Sequence, residues 1–463
     1  MDTLLSGGSV VTMDAERRVI EDGAVGIKGA VIQVVGPRQE IEASFKAARV
    51  VDTRGRVIIP GLVNTHTHQF QGLLKGLACD RVLVDWFRDV VGPCATALEA
   101  DHCYAASLLG SLEALKSGAT TLVDFMYAHP RPGLSEAVIR GFRETGVRGI
   151  LARGFMDIGA EDGVPDALIE PVDTVLQDVQ DLHGRFHGSE DGRIWVWLAA
   201  CMIWSQSERA LKLCRELADG AGIRITMHVA ETPFEIENAR RRFGGTDLQA
   251  LERMGFLGPD VLAVHCVYLG PRDLRILKHY DVKVSHNPHS NMYLASGVAP
   301  VPDMLMYGIT VGLATDGPAS NNNQNMIQVL KQAALLHKVA TKDPTAITAE
   351  QVLEMATIGG ARAVGLDSMI GSLERGKRAD VVVLRMDNPF IAPVHDVVGG
   401  LVYSALGNEV ERVFVDGKEV VSDGRLTTLD EREVVERAEA AARDLVCRAG
   451  VRSAGRKWRS LGF

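Results

Sequence analysis

The feature that most constrains the fold is a rhythm in the middle of the chain. From about residue 59 to 370, short apolar runs alternate with helix-like stretches. The runs are VIIPGLVNTH (57–66), TTLVDF (120–125), RGILARGF (148–155), RIWVWLAA (193–200), RITMHVAE (224–231), VLAVHCVYL (261–269), VKVSHNP (282–288) and TVGLATDG (310–317). Strands this apolar on both sides suit a sheet covered by helices. Stretches such as AASLLGSLEALKSG and ERALKLCRELADG supply the crossovers. Eight strands with helical crossovers predict an α/β chain, a closed TIM-like (β/α)8 barrel in preference to an open doubly wound sheet.

The two ends have another texture. SVVTMD, AVGIKGAVIQVVG and RVVDTRGRVIIPG near the start, and ADVVVLRM and EVERVFVDGKEVV near the end, read as half-buried strands between Gly and Asp turns. The expected organisation is a small β-sandwich from residues 1–58 plus 371–426, the (β/α)8 barrel over 59–370, and a terminal helix and tail over 427–463. GSLERGKR (371–378) has the glycine spacing of a phosphate loop, but Arg378 stands where Ser or Thr would hold Mg²⁺. It also leads into a strand, so a β-turn is expected there.

Composition narrows the partners. Lys plus Arg number 50 against 59 Asp plus Glu, a net charge of −9, which argues against nucleic acid and anionic membrane surfaces. No apolar run reaches the ~18 residues of a membrane span. The start MDTLLSGGSVVTMD lacks the pattern of a secretory signal. Seven scattered cysteines, none in C-x-x-C spacing, suit a reduced, cytoplasmic protein. The spacing also excludes the zinc deaminases that use P-C-x-x-C.

The chemistry lies at the strand ends. The first run ends in His66-x-His68, the fifth carries His228 and Glu231, the sixth His265, and the eighth ends at Asp316. Each alone reads as a hydrogen-bonded barrel residue or a helix cap. Together they fall on the one barrel rim where catalytic groups gather. Three imidazoles and a carboxylate suit Zn²⁺ or Fe²⁺, with zinc the expected ion, and a coordination position left for water makes the site catalytic. Water bound to such an ion ionises near neutrality. Asp316 can take its proton, Glu231 can carry a proton to a ring nitrogen or leaving group, and His265 can hydrogen-bond the developing charge.

PGLVNTHTH, the HVAE turn, VHCVYL, SHNPHSNMYLASGVAPVPDML, TVGLATDGPASNNNQNM and GSLERGKRADVVVL occur in this order. On them the chain resembles the amidohydrolase superfamily, in the branch of S-adenosylhomocysteine/methylthioadenosine deaminases and s-triazine hydrolases such as atrazine chlorohydrolase. The resemblance implies metal ligands at His66, His68, His228 and Asp316, with Glu231 and His265 as catalytic partners. It also implies a β-sandwich beside the barrel and a homodimer. No Lys stands at the end of the fourth strand, WLAACM, which favours one metal over a carbamate-bridged pair.

The substrate is a small molecule. Adenosine-type relatives place a histidine after the fourth strand, where this chain has Cys201, and a sulfur does not replace an imidazole's hydrogen bonds. The triazine hydrolases lack that histidine too. Arg153 and Asp85, in contrast, match the nucleoside deaminases. The expected pocket comprises His289, Asn291, Gln71, Asp85, Trp86, Arg153, Cys201, Met202 and Trp204. Ordinary packing for Trp86, Trp204 and Met202, and a loop hydrogen bond for His289, are the plainer readings. The expected reaction is hydrolytic deamination of an amino-substituted N-heterocycle. Cleavage of an s-triazine, or of a substituted urea or amide, is the alternative, and a non-catalytic scaffold the distant one.

Overall fold

The computed structural model describes residues 1–452. Its eight-stranded sheet is parallel throughout and follows sequence order. The strands are β1 (Leu62–Thr67), β2 (Ala119–Met126), β3 (Arg148–Phe155), β4 (Ile194–Met202), β5 (Ile225–Val229), β6 (Val261–His265), β7 (Lys283–His286) and β8 (Val311–Leu313). Both faces are covered, so β2 and β3 are buried at every position. Side chains close the ring between β8 and β1. Asn64 Nδ2 donates to Thr315 Oγ1 (2.8 Å), and Thr315 N donates to Asn64 Oδ1 (3.1 Å). Asp316 N then donates to His66 O (3.1 Å), which sets the last rim residue beside the first.

The run 57–66 is not one strand. Arg56–Pro60 pairs antiparallel with Val381–Arg385 and parallel with Thr3–Val11, in the other sheet. The chain changes sheets at Gly61, whose N–H donates to Asp380 O (2.9 Å), while Leu62 N donates to Gly118 O (2.9 Å). A Cβ on Gly61 would lie 2.0 Å from Thr120 Oγ1, so only glycine fits this crossing. The fifth and eighth strands are also shorter than the apolar runs that contain them. The backbone turns left-handed at Ala230 (φ 53°) and Asp316 (φ 60°), past the last strand residues.

The other sheet has nine strands, drawn from both chain ends. The first half of Thr3–Val11 pairs with Arg49–Asp52 and its second half with Arg56–Pro60. The strands from the two chain ends are thereby joined in one continuous sheet through one strand. They enclose an apolar core that includes Leu5, Val25, Ile32, Val381 and Phe414. The GSLERGKR segment is pinned against this sheet: Gly376 N–H donates to Ile32 O (2.8 Å), and Ile32 N–H donates to Lys377 O (2.9 Å).

Below the barrel, Arg148 at the start of β3 is fully buried between Asp380 (3.0 Å) and Asp416 (2.6 Å). That ion pair joins barrel to sheet. The helix Glu431–Arg448, N-capped by the Asp430 side chain, buries Val434, Ala438 and Leu445. The tail beyond residue 452 lies outside the described residues. Among the described residues no helix is long and apolar enough to cross a membrane.

Candidate active site

Residues two apart in extended chain face the same side, and the extended backbone runs on one residue past β1, so His66 and His68 point the same way. Their Nε2 atoms lie 3.3 and 3.4 Å from Asp316 Oδ1. The His228 ring completes the group, 4.9 Å from that of His66 and 5.4 Å from that of His68. Backbone carbonyls fix two of the rings: His68 Nδ1–H donates to Phe125 O (2.7 Å) and His228 Nδ1–H to Cys201 O (2.9 Å). The Nε2 lone pairs then point at the centre, as a metal-binding imidazole requires.

Charge and burial agree with that use. Burial depresses His68 to about 3, lowers His66, and holds His228 well below its usual value, so all three imidazoles are neutral. Burial pushes Asp316 up, but His66 facing it and the neighbouring imidazoles outweigh this and keep the carboxyl ionised. Ser320 Oγ donates to Asp316 Oδ2 (2.9 Å). Yet Asp316 Oδ1 and both ring nitrogens of His66 are buried without a hydrogen-bond partner. Buried polar atoms are rarely left so. Donor atoms of His66, His68 and Asp316 lie within 4.8 Å of one another, as do those of His66, His228 and His265. This donor set fits a divalent metal ion. The second triad also brings His265, expected only as a catalytic partner, within reach of the same centre.

His265 (φ 70°) and the turn at Ala230 bring the proton-carrying groups together. His265 Nε2 lies 3.5 Å from Glu231 Oε2. Asn291 Oδ1 accepts from His265 Nδ1–H (2.9 Å), and Asn287 Nδ2 lies 3.2 and 3.4 Å from its two ring nitrogens. Ser296 Oγ donates to Glu231 Oε1 (3.2 Å). Burial raises the Glu231 carboxyl above its ordinary value, which suits a group that carries a proton near neutrality.

A cavity of about 930 Å³, counting its open mouth, sits over this rim. Gln71, Trp86, Cys201, Met202 and Trp204 line it, beside His68, His228, Glu231, His265 and Asp316. Trp86 is fixed by its indole N–H donating to Ala319 O (2.9 Å). The other expected contacts lie elsewhere. Arg153 is buried and bound to Glu170 (2.7 Å) and Asp178 (2.7 Å). Asp85 is paired with Arg88 (2.8 Å), and Asn291 reaches His265 instead of the cavity. His289 is absent from the lining and its Nδ1 is buried without a partner.

About half of the cavity wall carries no signal in the sequence. Leu83, Val84, Phe87, Met156, Phe234 and Leu294 make it apolar. Tyr127, one residue past β2, also lines it and accepts from Gln71 Nε2 (3.3 Å). The strand-end rule that found the histidines points to Tyr127 as well. It points equally to Asn287, one residue past β7, whereas Ser296 carries no such signal.

A closed parallel barrel with buried imidazoles and carboxylates at its C-terminal rim defines a metal-binding barrel hydrolase. The chain belongs to the amidohydrolase family, which it matches over residues 57–420. It is 40% identical over 450 residues to a 5'-deoxyadenosine deaminase of Methanosarcina acetivorans, covering 97% of this chain and 99% of that one. Its fold is similar to a zinc-bound adenosine deaminase of Xanthomonas campestris (TM-score 0.90, 28% identity, 96% and 99% coverage). It is also similar to an atrazine chlorohydrolase of Arthrobacter aurescens complexed with zinc (TM-score 0.89, 27% identity, 95% and 100% coverage). These findings bear out the barrel, the deaminase and triazine-hydrolase resemblance, and a hydrolytic enzyme acting on C–N bonds.

Proposed function

We propose that the protein hydrolytically deaminates a 5'-modified adenosine, removing the amine from the six-membered ring. The observation that carries the reaction is Glu231 facing His265 beside three neutral imidazoles and the Asp316 carboxylate, under an apolar cavity. The relative 40% identical over nearly the whole chain supports the substrate.

The residues divide the work. His66, His68, His228 and Asp316 would hold a divalent ion, which when bound would supply Lewis acidity toward the attacking water. Glu231 delivers a proton to the ring nitrogen next to the amine-bearing carbon, which makes that carbon electrophilic. Asp316 accepts one proton of the water and returns it to the departing amine, and the proton left on the added oxygen goes back to Glu231 as the carbonyl forms. His265 is held by Asn291 with its proton on Nδ1, so Nε2 accepts a hydrogen bond from the oxygen that adds. Gln71, Trp86, Met202 and Trp204 contact the heterocycle and its substituent. Arg153, Asp85, His289 and Asn291 act from outside the lining. Zinc is the proposed ion, a homodimer the assembly and the cytoplasm the compartment.

Cys201 supports a second reading, cleavage of an s-triazine or substituted urea, because its buried thiol cannot act as an imidazole. The atrazine chlorohydrolase likeness supports it too. The position serves His228 through its backbone carbonyl, however, and any residue supplies that atom.

Ammonia or amine release from 5'-deoxyadenosine, adenosine, aminopyrimidines, pterins, s-triazines and N-aryl ureas decides between the readings. 5'-Deoxyadenosine is expected to have the highest kcat/KM. Turnover of a triazine or urea with no adenosine activity would overturn the proposal. Elemental analysis and sedimentation check the ion and the assembly.

A further inference from the structure

Glu231 does not hold its place by its own side chain alone. It follows Ala230, a non-glycine residue in the left-handed region at φ 53°, a conformation that a side chain disfavours. Something has to over-determine that turn. Two buried carboxyl groups do so. Asp247 Oδ2 accepts from Ala230 N–H (2.9 Å), and Glu235 Oε2 accepts from Glu231 N–H (2.9 Å). Glu235 is 0% exposed and Asp247 1%. From the other side, Ala230 O accepts from Val267 N–H (3.0 Å) and Tyr268 N–H (2.9 Å), which anchors the same peptide to the segment after His265. Successive N–H groups of one turn thus end on carboxyls from two different helices, Pro233–Phe243 and Asp247–Arg253.

We propose that Glu235 and Asp247 are positioning residues: they clamp the 230–231 turn and so aim the Glu231 carboxyl at the substrate. The proposal rests on the reading of Glu231 as the proton-carrying group. Glu235 stands at the third position of its helix, where a glutamate in a capping box reaches back to the N-cap N–H. Here the N-cap is Thr232, and the carboxyl reaches one residue further, to Glu231. Plain helix capping accounts for stability but not for that choice of donor. Reacting groups displaced by an ångström lose about a hundredfold in rate, so the two roles separate in kinetics.

The test uses the zinc-loaded full chain with 5'-deoxyadenosine as the probe. Glu235→Ala and Asp247→Ala each delete one acceptor. Glu235→Gln and Asp247→Asn keep an amide oxygen that still accepts. Amide hydrogen exchange over residues 230–231 is followed alongside kinetics. The alanine variants are expected to lose about a hundredfold in kcat with KM and bound metal little changed, and to lose exchange protection at the turn. The amide variants are expected to stay within about threefold of the parent, because the acceptor remains. Either alanine variant suffices if the other fails to fold. A fall in Tm with kcat and exchange protection intact would reduce both residues to helix caps and overturn the proposal. A Glu231→Gln control separates the two claims. If that variant keeps full rate, the catalytic reading of Glu231 fails, and exchange alone judges the clamp: protection lost in the alanine variants upholds it, protection retained rejects it.

Discussion

The barrel buries two charged clusters, one at each end, and they are built oppositely. At the lower end Arg148 spends its guanidinium on Asp380, Asp416 and the Gly192 carbonyl, and Asp380 also accepts from Asp416 N–H (3.0 Å). At the upper rim, His66 and Asp316 Oδ1 are equally buried and stand without partners. A satisfied buried ion pair is a fastening between two layers. Neutral imidazoles around a carboxylate oxygen with no partner are a set of donor atoms reserved for something else, at a cost in folding stability. Burial and charge alone do not separate the two cases; the accounting of partners does.

That contrast breaks first at Glu231. Glu231→Gln removes the proton but keeps the shape, so deamination is expected to fall by about 10²–10⁴-fold with Tm unchanged. A large loss of stability with the rate retained would assign Glu231 to the fastening type. Arg148→Met is the mirror experiment. It leaves Asp380 and Asp416 buried without their cation, and urea unfolding is expected to show a loss of about 3–5 kcal/mol. The kcat of the folded fraction should hold. A variant equally stable but inactive would erase the distinction.

Acid sharpens the comparison in the metal-free protein. The unfolded chain binds protons on its imidazoles near 6.5, whereas burial holds His68 down to about 3 and lowers His66 and His228. The folded state therefore binds fewer protons below pH 6.5. Stability from these groups is full above that value and is lost as pH falls from there toward 3. The urea midpoint of the chelated protein should decline over that window, and less steeply in His68→Phe. Arg148 stays charged throughout and contributes no such slope. The smallest effect is expected at Cys201. Cys201→Ala keeps the carbonyl that orients His228, so metal content should hold and KM shift by about tenfold, the lower end of what a lost apolar contact costs. Loss of metal would show that the thiol, and not the backbone, serves the site.

Much of this was legible in the strand ends. The His66-x-His68 spacing and the barrel rhythm follow from periodicity, because a strand of period two and an ordered barrel leave few places for such residues. Arg153 shows the limit. Its position suggested a substrate contact, but two carboxylates brought from elsewhere in the chain, Glu170 and Asp178, had already claimed it. Asn291, expected in the pocket from the HNPHSN turn, accepts from His265 Nδ1–H and stands behind the cavity lining.

The sequence by itself determined the barrel, the end-built β domain and the residues of the rim, since apolar period and residue type are local properties. Only the tertiary structure decided which buried polar atoms find partners, where the chain crosses between sheets at Gly61, and how Glu235 and Asp247 meet the turn at Ala230. Those depend on distances between segments far apart in the chain, and a hydrogen bond is defined by ångströms that no spacing of letters records.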